Sequence, residues 1–113
     1  MESIITIATV LTMYFNAAND VNAPYLYNSD FEDGVIHKIE VYEQKADNQM
    51  CAKMEYRYSY DDQGRLTTRE IMRWDSSKQT WVNDVRHTYK YYKNGYNVEI
   101  SKWDAAKQTY DLP

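Results

Sequence analysis

Imidazole or thiol chemistry in this 113-residue chain would have to start from His37, His87 and Cys51, its two histidines and its one cysteine. A general base needs a partner within hydrogen-bond reach, and a zinc site needs His and Cys ligands at short, paired spacings. These three side chains are scattered singly, so neither pattern forms. A lone cysteine also rules out an intramolecular disulfide. In a strand, side chains two apart share a face. On that rule Cys51 falls with Lys53 and Glu55 on a polar side, and His37 with Val35 and Ile39. His87 falls on a row of tyrosines, where its role is packing. Asp61 and Asp62 precede Gly64, as Asp30, Glu32 and Asp33 precede or adjoin Gly34, which gathers oxygen ligands of the kind calcium takes. Neither stretch has the full alternating ligand ladder, and acidic residues at such places serve the turn backbone. There is no Gly-x-Ser-x-Gly elbow and no phosphate loop. The expectation is a protein that is not an enzyme, with no catalytic residues, no metal site and no cofactor.

Aromatic side chains are the richer resource, at 12 Tyr and 3 Trp. Flat rings give binding area at low entropic cost. The candidate ligand-binding residues are therefore Trp74, Trp81, Trp103 and Tyr110, together with Tyr56, Tyr58, Tyr89 and Tyr91, facing a glycan or a protein. The tyrosine row has a second use, because a small sheet needs aromatics to cover its own face.

What positions these residues is a repeat. "RWDSSKQTWV" at 73 to 82 returns as "KWDAAKQTYD" at 102 to 111, and "MEYRYSYDDQG" at 54 to 64 aligns with "VRHTYKYYKNG" at 85 to 95. An older copy, "DFEDGVIHKIEVYE" at 30 to 43, sets Gly34 against Gly64 and Tyr42 against Trp74. The unit spans about 30 residues, the range in which tandem architectures are sought. Within each unit the hydrophobic period is two: Met54, Tyr56, Tyr58 and Tyr60 alternate with Glu55, Arg57 and Ser59, the mark of a half-buried strand. Val85, His87, Tyr89 and Tyr91 alternate in the same way with Arg86, Thr88 and Lys90. "DDQG" and "YKNG" carry the residues that close tight hairpins. The pattern predicts strands near 25–30, 35–43, 50–60, 65–74, 81–92 and 96–103, with links short enough to make neighbours antiparallel. The fold class is all-β, an antiparallel β-meander of about six strands, able to curl into a half-open barrel or a sandwich.

The Trp-Asp corners then have a physical reading. Trp74 and Trp81 flank a six-residue loop, as do Trp103 and Tyr110, so each pair can meet across a hairpin. Asp75 and Asp104 open those loops, where a carboxylate accepts backbone N–H groups and fixes the turn. A Trp-Asp propeller is excluded by length, since its blades run roughly 40–45 residues and several are needed to close a ring. The last unit ends at "YDLP" with no strand answering 82 to 92, so the expectation is either a sheet edge open to strand addition, including by a second copy, or an edge blunted by Pro113.

Residues 4 to 18, "IITIATVLTMYFNAA", carry no charge and are short for a membrane span, which needs roughly 20 residues. Their length suits a secretory h-region, with cleavage near Ala18 or Ala23. Residues 1–23 are read as that signal and 24–113 as a single β-repeat domain, exported to the periplasm, the cell surface or the medium, with no stable membrane span after cleavage. The full chain has a formal charge of -4 and no run of Lys or Arg, so nucleic acid is not expected as a partner.

"YDDQGRLT" at 60 to 67 resembles the Tyr-Asp repeat of large secreted bacterial proteins, and the sister stretch "YYKNGYNV" keeps Tyr91 and Gly95. With the apolar leader and the Trp-Asp hairpins, nearly the whole mature chain resembles the small exported proteins of Bacteroides-type gut bacteria grouped as a domain of unknown function. That resemblance implies an antiparallel β-fold and an extracytoplasmic address, and no activity. The functional expectation is a binding module using its aromatic face, or alternatively a structural unit that assembles through the open edge.

Overall fold

The computed structural model describes residues 25–32, 34–44 and 50–112. The apolar segment 4–18, both cleavage points and Asp33 lie outside the described residues. Seven strands follow one another: β1 (Tyr25–Glu32), β2 (Val35–Gln44), β3 (Met50–Tyr60), β4 (Leu66–Asp75), β5 (Thr80–Tyr92), β6 (Gly95–Asp104) and β7 (Thr109–Tyr110). They form one sheet in sequence order, each strand antiparallel to the next. The six expected strands are all present, and β7 is an addition that completes the second Trp-Asp hairpin. No helix long and apolar enough to cross a membrane occurs among the described residues.

The sheet is not closed into a barrel. Closure would require the two ends of the meander to pair, whereas the ladder starts at β1 and stops at β7. The result is an open sheet measuring 51 × 38 × 24 Å.

Two turns explain how the strands reverse. Gly34 and Gly64 take φ of 77° and 76°, a conformation that glycine reaches without steric cost. At the second, the Gly64 N–H donates to the Asp61 carbonyl at 3.0 Å and the Asp61 N–H to the Arg65 carbonyl at 2.9 Å. The Asp61 carboxylate accepts from the N–H groups of Gln63 and Arg65 and from Arg65 Nε, each at 2.9 Å. Those bonds hold its carboxyl below the usual range, the Arg65 amide first among the causes. Its oxygens serve the turn.

Strict alternation is interrupted by bulges. The register slips between Asp30 and Phe31, Val41 and Tyr42, Ser59 and Tyr60, and Ile71 and Met72, which leaves His37, Lys53, Thr67 and Asp84 as the extra residues. Each bulge adds twist and resets which face the next residue takes. Two expectations are thereby corrected. Ile36, not Val35, is buried with Ile39, and His37 is exposed at the bulge beside the Tyr60 ring. Cys51 pairs with Glu43, across the Lys53 bulge from Glu55, so the two do not share a face.

Cross-strand partners share a face. The row Ile39, Tyr56, Ile71, Val85 therefore defines one side, with Tyr58, Arg69 and His87 beside it. This tyrosine face carries the core: Ile36, Ile39 and Val41 are buried, with Tyr27, Met54, Tyr56 and Tyr58 packed against them. Ile36 and Leu66 are almost fully enclosed, at 1% and 2% exposure. Each such side chain contributes about 2 kcal/mol of burial free energy. The opposite side carries Met72, Trp74, Trp81 and Trp103, and is the corner face.

Candidate functional site

The corner face is built from two copies of one turn. At the β4–β5 end, Trp74 pairs with Trp81 and Asp75 with Thr80, so both strands run one residue into the expected loop. The indoles meet edge to face at 5.2 Å and 75°. One oxygen of Asp75 accepts the Ser77 hydroxyl at 2.7 Å and the N–H groups of Ser77 and Lys78 at 3.0 and 3.2 Å. These bonds, the Ser77 hydroxyl foremost, hold the Asp75 carboxyl below its ordinary range. Gln79 takes a left-handed φ of 54° and its side-chain amide donates to the Ser76 carbonyl at 2.7 Å.

At the β6–β7 end the same parts recur. Trp103 and Tyr110 meet at 5.0 Å and 72°. Asp104 accepts from the N–H groups of Ala106 and Lys107 at 3.0 and 3.1 Å. Gln108, with φ of 56°, donates to the Ala105 carbonyl at 2.7 Å. The Arg86 guanidinium lies 4.4 Å over the Tyr110 ring and ties β5 to β7. Burial raises the Tyr110 phenol. Gln79 and Gln108, which stand where glycine is usual, were not singled out from sequence. Their trace was the shared "KQT" in the two corner repeats.

Between the two corners lies a cleft of about 340 Å³, lined by Trp81 and Trp103 together with Asn83, Lys78 and Gln108. The turns fix the indoles at its sides and the loops supply its polar groups. Trp74 and Tyr110 back these rings from across their hairpins.

The tyrosine row is on the other side of the sheet. Tyr58 pairs with Arg69 and Arg69 with His87, while Tyr89 pairs with Val98 and Tyr91 with Tyr96. Tyr56, Tyr58, Tyr89 and Tyr91 are all half-buried. Arg69 sits 4.8 Å over the Tyr56 ring and Arg65 5.0 Å over that of Tyr91. Burial raises the phenols of Tyr58 and Tyr89. The eight candidate residues thus divide, four to each face. A single small ligand cannot touch both sets.

The whole length of the chain, residues 1–113, matches the family model DUF3836, described as a family of unknown function. The chain belongs to the DUF3836 family. A DUF3836 protein from Bacteroides vulgatus is similar in structure, with a TM-score of 0.75 and 26% identity over 80% of this chain and 91% of that one. A DUF3836 protein from Parabacteroides distasonis gives 0.72 and 26% over 78% and 82%. A protein of unknown function from Bacteroides fragilis gives 0.71 and 27% over 80% and 67%. No curated protein matches. The expected likeness to a Bacteroides-type family of unknown function is shown, and the β-meander is shared with its solved members.

His87 faces Arg69 and Tyr89, and burial, reinforced by the Arg69 charge, holds its imidazole below the ordinary value. No group of three or more His, Cys, Asp or Glu side chains placed to hold a metal ion occurs among the described residues. Glu55, expected on a polar face, is 2% exposed. Arg57 Nε and Nη2 both reach one of its oxygens at 2.9 Å, and Lys38 approaches the other at 3.9 Å. Glu40, directly opposite, is paired with Lys38 at 3.4 Å and receives the Tyr42 hydroxyl. Two facing carboxylates are thereby held by two cations.

Proposed function

We propose that this protein is a non-enzymatic binding module, exported from the cell, that takes a glycan in the cleft between its two Trp-Asp corners. The observation that carries the reading is the composition of that cleft: two indoles, Trp81 and Trp103, beside amides from Asn83 and Gln108. A sugar ring presents apolar C–H faces and a rim of hydroxyls, which asks for flat apolar surface next to donors and acceptors that fix orientation. The indoles are pre-positioned by their ring partners and Asx turns, so little rotamer entropy remains to be lost on binding. A protein side chain of mixed character would fit the same groove. The tyrosine face, its rings packed on the core and covered by Arg65 and Arg69, is the weaker candidate. Export is supported by the uncharged segment 4–18.

A broad panel of immobilised glycans, followed by titration of tryptophan fluorescence with the hits, tests the proposal. Trp81→Ala and Trp103→Ala should each weaken binding at least about tenfold, equivalent to ~1.4 kcal/mol. Silence across the panel, together with indoles shielded from an aqueous quencher, would end it.

A further inference from the structure

We propose that the outer edge of β6 is a self-association surface, on which a second copy of this chain docks by two-fold antiparallel strand pairing centred on Val98. β5 and β6 join through the two residues Lys93 and Asn94, with Tyr92 opposite Gly95 as the closing pair. In such a hairpin the closing pair is hydrogen-bonded and the pairs then alternate. Tyr91 with Tyr96, Tyr89 with Val98, and His87 with Ile100 are therefore the non-bonded pairs. The backbone N–H and C=O groups of Tyr96, Val98 and Ile100 consequently point away from β5. The same parity continues at Lys102, whose carbonyl accepts the Asp111 N–H at 2.8 Å. From there β7 occupies the edge. Among the described residues nothing pairs with Gly95–Ser101 on that side.

Between Gly95 and Ser101 the edge has no bulge and a single charged side chain, Glu99, which is paired with Lys90 on the neighbouring strand. β5–β6 pairs eight residues without a register slip, whereas the other four long ladders each contain one. Bulges and charges are how sheets keep their edges from pairing. β1, the strand at the other end of the sheet, has Asp30 and Glu32 and a bulged ladder. β6 instead shows Tyr96, Val98 and Ile100 on one face at 39%, 40% and 54% exposure.

A second copy is the occupant because the open run is self-complementary. It is bounded by the turn at Gly95 and by β7 at Lys102, so its midpoint is Val98. A two-fold axis there sets Val98 against its copy, Tyr96 against Ile100, Asn97 against Glu99 and Gly95 against Ser101. Apolar groups meet on the tyrosine face and an amide meets a carboxylate on the other. That carboxylate is already paired to Lys90 at 2.9 Å. Centring on Glu99 would oppose two carboxylates and run into β7; centring on Asn97 would place Ile100 against the turn residue Asn94. An isologous contact closes at the dimer.

Sedimentation velocity over a range of concentrations should show monomer and dimer and nothing larger. Val98→Pro should abolish the dimer and leave the fold intact by circular dichroism, because that N–H does not serve the β5 ladder and proline is accepted on an edge. Val98→Lys, which keeps the backbone unchanged, should do the same if the proline variant fails to fold. In a Cys51→Ser background, Val98→Cys should cross-link to itself, since facing Cα atoms of a bonded pair lie about 5.5 Å apart, within disulfide reach. Tyr96→Cys alone should not, yet it should cross-link when mixed with Ile100→Cys. A strict monomer, an open series of larger species, or self-linking at Tyr96 as efficient as at Val98 overturns the proposal. Glycan binding resides at the corners, so its loss or survival leaves this test untouched.

Discussion

The Tyr60 hydroxyl donates to the Ile36 carbonyl, 24 residues away, at 2.9 Å, beside the bulge at His37. Tyr91 does the same for Leu66, at 2.6 Å, beside the bulge at Thr67. A bulge disrupts the local ladder and leaves backbone groups to find other partners. In both places a phenol from the next strand satisfies the carbonyl of the most enclosed apolar residue nearby. Burial also raises the Tyr60 phenol, which keeps it a donor at any ordinary pH.

Tyr60→Phe should therefore lower stability by about 1 kcal/mol through the unsatisfied carbonyl, with no change in the denaturant m-value. Tyr91→Phe should behave alike. Urea unfolding of the two single variants and the pair checks this, and near-additive losses are expected because the two bonds share no partner.

Trp74 and Trp81 close a hairpin between two long central strands, whereas Trp103 and Tyr110 close one whose second arm is the two-residue β7. The ring geometry is nearly equal in the two corners. Their weight in global stability is not. Trp74→Leu removes a ring pair worth roughly 0.5–1.5 kcal/mol along with apolar area, for a total loss of about 2 kcal/mol. Trp103→Leu should free β7 and shift the global midpoint much less. Hydrogen exchange separates the two outcomes: fast exchange confined to 105–111 for Trp103→Leu, and loss of protection spread over β4 and β5 for Trp74→Leu.

Glu55 sits opposite Glu40, with Arg57 and Lys38 holding the pair. Arg57→Ala would leave an enclosed carboxylate with one cation at 3.9 Å and should cost about 1–3 kcal/mol, less than a fully buried pair because Arg57 is half-exposed. Adding Glu55→Leu removes the stranded charge, so the double variant should recover most of the loss. Equal losses for the single and double variants would show that Arg57 stabilises by packing its stem and not through the carboxylate.

The meander was legible because a period of two and hairpin turns leave few other ways to pair six strands. The clasp was legible for the same local reason: Trp-Asp at one end of a short loop and an aromatic at the other can only face each other across the arms. Bulges escaped, since one extra residue has no composition of its own. Their trace was the three-residue step from Ile36 to Ile39 inside an otherwise alternating strand. Missing the bulges misplaced His37 and Cys51. Burial of Glu55 was equally hidden, because it depends on Lys38 arriving from the neighbouring strand. Nor could a linear pattern tell that the Trp and Tyr sets lie on opposite faces, which follows only once the register is known.

His87 connects this packing to pH. Its imidazole is held below the ordinary value of 6.5, first by burial and then by the Arg69 charge opposite it. A group that binds its proton more weakly folded than unfolded makes the unfolded chain the better proton acceptor between the two values. Stability is then full above 6.5, falls as the pH drops through 6.5 toward the lower folded value, and levels off beneath it. Asp75 and Asp61, both held below the carboxylate value of 3.8, act at a separate and more acidic limb. Their contribution is present above 3.8 and is lost as the pH falls through their folded values. Unfolding midpoints measured from pH 8 to 3 should show both limbs. His87→Gln should flatten the upper limb alone. Arg69→Met should move the His87 NMR titration midpoint upward, toward 6.5, and an unmoved midpoint would leave burial as the whole cause.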